Sequence, residues 1–240
     1  MRTKLVRRLL ALLAALLFAA FAAIACYLLD YYRATDEALA ALRPDTRVNV
    51  VRTSYGWIFD GPASGSALIF YPGAKVGETA YAPFLRQIAT QGLDVCLVKM
   101  PFRLAILGEG KAAEVCASHD YADWYIGGHS LGGAMAARYA ASHGGQFKGL
   151  ALCAAYPTDP LGSGQKLIVL YGSEDTVLDK ERFAAGMRLA PAGTEVHELR
   201  GGNHAQFGDY GPQKGDGAAL IPASAQQQEA ARLIVAGLLP

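Results

Sequence analysis

Ser130 stands between two glycines in Gly128-His129-Ser130-Leu131-Gly132, after the strand-like Trp124-Tyr125-Ile126 and before the helix-like segment from Gly133 to Tyr139. A serine at a sharp turn from strand to helix is lifted above the sheet edge, where its hydroxyl can attack a substrate. The turn strains the backbone of the central residue, and small neighbours two positions away let the chain pass close to itself. A serine that merely capped the helix would not need those glycines. At neutral pH the hydroxyl also needs an imidazole to take its proton, and the imidazole needs a carboxylate to fix its tautomer and stabilise its charge.

Candidates for both partners lie downstream. Lys166 to Tyr171 is a short apolar run of buried-strand character, closed by Gly172-Ser173-Glu174-Asp175. An acid just beyond a parallel strand sits on the edge where ligands bind. Asp175 is the first candidate, with Glu174 or Asp179 as the acid if Asp175 instead caps the next helix. Val196 to Leu199 reads as a last strand and opens into the glycine-rich loop 200–208, which carries His204 to the same edge. Of the other histidines, His119 and His143 fall near helix ends, His197 lies within a strand pattern, and His129 points off the turn.

The segments Gly-His-Ser-Leu-Gly-Gly at 128–133, Gly-Ser-Glu-Asp at 172–175 and Gly-Gly-Asn-His at 201–204 resemble, in order and strand context, those of the α/β-hydrolase superfamily. The resemblance covers nearly everything after residue 45. It implies that Ser130 is the nucleophile, Asp175 the orienting acid and His204 the base, with an acyl-enzyme intermediate and neither cofactor nor metal. It also implies an oxyanion hole. One donor is the N–H of Leu131, at a helix N-terminus whose dipole favours negative charge. The second comes from the turn Pro72-Gly73-Ala74-Lys75, where proline replaces the family's histidine. Ala74 is the expected donor, Lys75 the alternative by one residue, and an ordinary tight turn the plainer reading.

Only Tyr156 to Gln165 separates the sixth expected strand from the seventh, which leaves no room for a helical cap. An open site of this kind resembles the compact dienelactone-hydrolase-like branch. That branch carries cysteine where this chain has Ser130, so the resemblance favours an ordinary small-molecule ester or thioester as substrate. Tyr71, Tyr156 and Phe207, with Val76, Phe102 and Val177, are expected to line an apolar acyl pocket. Lys75, with Lys99 and Arg103, would draw an anionic substrate. The loop 208–217 is long enough to gate the site. An acyltransferase using the same triad, or a binding protein on the same fold, are the alternatives.

The elements that must position these residues follow from apolar patterning. Strands are expected near 48–52, 56–60, 66–71, 93–98, 123–127, 149–154, 166–171 and 195–199, and helices near 79–91, 110–118, 131–143, 178–190 and 223–238. Strands that alternate with helices predict an α/β fold, a mostly parallel sheet with right-handed crossovers and helices on both faces. The first two strands read as a hairpin.

Ahead of this domain, Leu9 to Leu29 is an uncharged apolar run preceded by Arg2, Lys4, Arg7 and Arg8. About 20 such residues cross a bilayer as a helix. The basic flank predicts a single-pass anchor with its N-terminus in the cytoplasm and the catalytic domain periplasmic or extracellular. A cleaved signal peptide is the rival, although the run exceeds the roughly 7–15 residues of an ordinary signal core. The expected organisation is thus an anchor over 1–30, a short helical neck over 31–45 and a catalytic domain over 46–240. Without the four basic residues of the first segment, the 22 Lys and Arg become 18 against 21 Asp and Glu, a net charge of −3. That balance implies no nucleic-acid partner. The four cysteines lack Cys-x-x-Cys spacing, which argues against a redox or metal motif.

Overall fold

Strand pairing in this chain follows the apolar runs closely. The computed structural model describes residues 2–62 and 65–240. Within it β1 (Asn49–Arg52), β2 (Gly56–Asp60), β3 (Ser66–Tyr71), β4 (Asp94–Val98), β5 (Asp123–His129), β6 (Gly149–Cys153), β7 (Lys166–Gly172) and β8 (Glu195–Leu199) form one sheet. Its order is β1-β2-β4-β3-β5-β6-β7-β8. The β1–β2 hairpin is antiparallel and meets β4 antiparallel, whereas β4, β3 and β5 to β8 run parallel. All the parallel strands therefore end on one edge, and the loops that leave them there carry Ser130, Asp175, His204 and the turn at 72–75.

Alternation along the strands divides the core into two layers, because successive side chains point to opposite faces. On β3, Leu68 and Phe70 join one apolar cluster and Ala67, Ile69 and Tyr71 the other; on β5, Tyr125 joins the first and Ile126 the second. The first layer is covered by α3 (Ala82–Thr90) and α7 (Ala223–Leu238), through residues such as Phe84, Ile88 and Ile234. The second is covered by α4 (Lys111–Ala117), α5 (Leu131–Ser142) and α6 (Lys180–Gly186), through residues such as Val115, Met135 and Phe183. Strands buried on both faces need such near-continuous apolar sequence. Residues 154–165, between β6 and β7, contain no helix and build no cap.

The chain divides into two compact units, Met1–Tyr31 and Tyr32–Pro240. In the first, α1 (Arg2–Leu29) contains the 27-residue stretch Thr3–Leu29, which holds an 18-residue window with a mean hydropathy of 2.8 and is long and apolar enough to cross a membrane. The segment expected as a neck is folded into the second unit from Tyr32 onward. The Tyr32 N–H donates to the Lys75 carbonyl at 2.8 Å, its own carbonyl accepts from Gly77 at 2.9 Å, and Thr35 caps α2 (Asp36–Ala40). All four thiols are free, and β3 and β5 separate Cys96 on β4 from Cys153 on β6.

The largest side chains that hold α3 to the sheet are aromatic. Phe84 is fully buried, with ring centroids 6.0 Å from Phe70 and 6.4 Å from Phe207 in edge-to-face contacts. Phe84→Ala should destabilise the protein by about 3–5 kcal/mol, the range for truncating a buried aromatic. Urea unfolding of the detergent-solubilised chain measures this, and a loss below about 1 kcal/mol would contradict the packing described.

Candidate active site

The turn between β5 and α5 is built at the expense of local strain. Ser130 has φ 52° and ψ −126°, a corner that residues with a side chain avoid. Surrounding bonds hold it there: the Ser130 N–H donates to the Cys153 carbonyl at 2.9 Å, and its carbonyl accepts from Ala134 at 3.0 Å. Two glycines make the turn fit. A Cβ on Gly128 or on Gly132 would run into the carbonyl of Tyr71 at the end of β3, and one on Gly132 also into that of Pro72. These contacts press the helix N-terminus against the turn at 72–75.

The acid and the imidazole meet in the interior. His204 Nδ1 lies 2.9 Å from Asp175 Oδ2, and the two side chains are 2 % and 1 % exposed. Asp175 serves two ends at once: its Oδ1 accepts from the Val177 and Leu178 N–H groups at 2.9 and 2.8 Å, which fixes the carboxylate and leaves Oδ2 for the imidazole. Of the alternative acids, Asp179 caps α6 by accepting from Glu181 and Arg182, and Glu174 accepts from the Ser173 hydroxyl. With Nδ1–H donated to Asp175, Nε2 is left as the basic nitrogen.

His204 is clamped from both sides along the chain. The buried Gln226 of α7 accepts from the Asn203 N–H at 2.9 Å and donates to the Asn203 carbonyl at 2.8 Å. Asp216 accepts from the Ala205 N–H at 2.8 Å, and the Gly217 carbonyl accepts from the Asn203 amide at 2.7 Å. The loop 208–217, expected as a gate, is therefore a buttress behind the imidazole. Thr176 donates to its Gly215 carbonyl, Tyr210 is buried, and none of its residues borders the cavity at Ser130.

That cavity, of about 280 Å³, is bordered by Ser130, Leu131, Ala134, Ala154, Ala155, Tyr156, Val177, Leu178, Asp179, Arg182 and His204. Ser130 and His204 thus open on one space. Tyr156 and Val177 are among its bordering residues. Tyr71 and Phe207 are not: both are fully buried, Tyr71 donating to the Glu109 carbonyl and accepting from Ala112, Phe207 packing on Phe84. Phe102, Val76 and Lys75 are also outside the cavity border, and its basic residue is Arg182, paired with Asp179 at 3.4 Å. Two alanines after β6 were the missed signal, since an Ala-Ala pair at this edge leaves room for a substrate.

At the turn 72–75, the Lys75 N–H is committed to the Arg103 carbonyl at 2.9 Å and the Gly73 N–H to the Tyr81 hydroxyl at 3.0 Å. Among the described residues the Ala74 and Leu131 N–H groups donate to no partner. His129, expected to point away, is buried with its ring centroid 4.5 Å from that of His204 and its Nδ1 2.8 Å from the Tyr81 hydroxyl. Burial, and then the neighbouring His204, hold its pKa well below the ordinary histidine value.

A family model described as "Alpha/beta hydrolase family" matches residues 67–228. Solved structures with similar folds include TT1662 from Thermus thermophilus, with a TM-score of 0.58 and 15 % identity over 81 % of this chain and 100 % of that one. The esterase domain of a Rhodothermus marinus protein follows with a TM-score of 0.55 and 15 % identity over 79 % and 96 %. Est1E from Butyrivibrio proteoclasticus, solved with ferulic acid bound, gives 0.56 and 11 % identity over 80 % and 96 %. No curated protein matches the chain.

The strain at Ser130 is measurable without any substrate. Ser130→Ala keeps a Cβ in the disfavoured corner, whereas Ser130→Gly releases it at a smaller cost in chain entropy. The glycine variant should be more stable than the alanine variant by about 1 kcal/mol. Thermal unfolding of the two compares them directly, and an alanine variant equal or superior in stability would show that the turn is unstrained.

Proposed function

The chain belongs to the α/β-hydrolase family, and on that premise we propose that it is a serine hydrolase that cleaves a small carboxylic ester or thioester through an acyl-enzyme. The observation that carries this reading is a buried His204, paired with Asp175, that opens on the same cavity as a strained, half-buried Ser130. His204 Nε2 takes the Ser130 proton as Oγ attacks the carbonyl carbon. The tetrahedral oxyanion is held by the N–H groups of Leu131 and Ala74. His204 then returns the proton to the leaving alcohol or thiol. Water, deprotonated by the same imidazole, releases the acid and restores Ser130. Asp175 stays ionised and stabilises the imidazolium.

Substrate size follows from the cavity. A space of about 280 Å³ bordered by Ala134, Ala154, Ala155, Val177 and Leu178 lies just below the roughly 300–1,000 Å³ of sites that enclose drug-sized ligands. It suits a short acyl group, with the leaving group towards the uncapped side. In this reading α1 is an uncleaved single-pass anchor. Its basic flank keeps the N-terminus in the cytoplasm and the catalytic unit periplasmic or extracellular.

Ser130→Ala should abolish labelling by a fluorophosphonate while leaving the melting temperature near that of the native protein; persistent labelling would remove Ser130 from the role. Asp175→Asn keeps an acceptor for Val177 and Leu178 but offers His204 Nδ1–H an amide, so kcat should fall on the order of 10⁴-fold with little change in KM. Steady-state kinetics on aryl esters of increasing acyl length should show kcat/KM highest for short chains, and a maximum at long chains would contradict the size of the cavity.

A further inference from the structure

Three buried groups join the β5–α5 turn to the turn at 72–75, and the proposed reaction does not use them directly. The Gly73 N–H donates to the Tyr81 hydroxyl at 3.0 Å, and that hydroxyl lies 2.8 Å from His129 Nδ1. Tyr81 is fully buried and His129 is 1 % exposed, so no solvent substitutes for either bond. Gly73 is packed between both rings: a Cβ there would come 2.8 Å from His129 Nδ1 and 2.9 Å from the Tyr81 oxygen.

Proton accounting orients the chain of bonds. The phenol carries one proton, and its oxygen already accepts from Gly73. Sent to an unprotonated Nδ1, that proton leaves His129 the neutral Nε2–H tautomer, whose buried Nε2 finds no hydrogen-bond partner among the described residues. Neutrality matters in this place, because a charge on His129 would oppose the imidazolium that must form on His204, 4.5 Å away between ring centroids.

His129 immediately precedes Ser130, and Gly73 immediately precedes Ala74. A rigid side-chain link between the two therefore sets how far the Ala74 N–H stands from the attacking oxygen. We propose that Tyr81 and His129 are positioning residues that hold the oxyanion turn in register with the nucleophile, Tyr81 through Gly73 and His129 through the Tyr81 hydroxyl. The proposal rests on the serine-hydrolase reading above. Oxyanion donors act only when aimed at where charge develops, so a misplaced turn costs turnover and spares substrate binding.

The test uses the full chain in detergent, with kcat and KM on a short-chain aryl ester and the rate of fluorophosphonate labelling as readouts. Tyr81→Phe keeps the packing and removes the link; kcat and the labelling rate should each fall about tenfold to a hundredfold, with KM within about twofold. His129→Leu should fall equally, and the double variant no further than either single one, because both break one unit. In His129→Asn the amide oxygen takes the place of Nδ1 and should restore most of the activity lost in His129→Leu. If Tyr81→Phe does not fold, the His129 pair decides alone. A native kcat in Tyr81→Phe, a rise in KM instead of a fall in kcat, or equal losses in His129→Asn and His129→Leu would each overturn the proposal. A native protein that neither hydrolyses esters nor takes the label would instead sink the serine-hydrolase reading on which it stands.

Discussion

A backbone corner that an L residue resists, φ 52° at Ser130, is the constraint around which the candidate active site is arranged. Strain of this kind costs on the order of 1–3 kcal/mol and persists only where neighbours over-determine it. Here the Cys153 carbonyl fixes the Ser130 N–H, α5 takes its carbonyl, and the glycines at 128 and 132 let the end of β3 press into the turn. The same contacts that hold the corner bring the loop after β3 alongside the N-terminus of α5. Ser130 and the N–H groups of Leu131 and Ala74 are thus set by one packing event.

The imidazole is set by a second. His204 sits on a loop rich in glycine, which alone would leave its position loose, yet its neighbours are fastened by Gln226 from α7 and Asp216 from the loop beyond. Asp175 is fastened in turn by two backbone N–H groups. Each of the proposed catalytic groups is therefore held by bonds its neighbours make, so its own reactive atom stays available. Organisation of that kind is what allows a catalytic constellation to work without reorganising during reaction.

Much of this was legible in the sequence because periodicity and chain order carry it. The apolar runs gave the eight strands within a residue or two at most ends, and the strand-ending glycines marked which loops share an edge. Ser130, Asp175 and His204 were readable because each follows a strand at that edge. The substrate wall was less legible: Tyr71 and Phe207 have the composition of a pocket, but a strand-end aromatic can turn inward, and Tyr71 finds a carbonyl and an amide there for its hydroxyl. The placements of His129, Tyr81 and the 208–217 loop depend on side-chain pairings that span 8 to 48 residues, Tyr81 with Gly73 and His129, Asp216 with Ala205. No local pattern encodes such pairs.

In the proposed mechanism the Ser130 hydroxyl, the His204 imidazole and the N–H groups of Leu131 and Ala74 converge on one reacting centre. A crystal structure of the protein after reaction with a short-chain phosphonate tests it most directly. Phosphorus should be bonded to Ser130 Oγ, with its phosphoryl oxygen about 2.7–3.1 Å from the Leu131 and Ala74 nitrogens and His204 Nε2 within hydrogen-bond reach of the adduct. Phosphorus on another residue, or a phosphoryl oxygen turned away from both nitrogens, would contradict it.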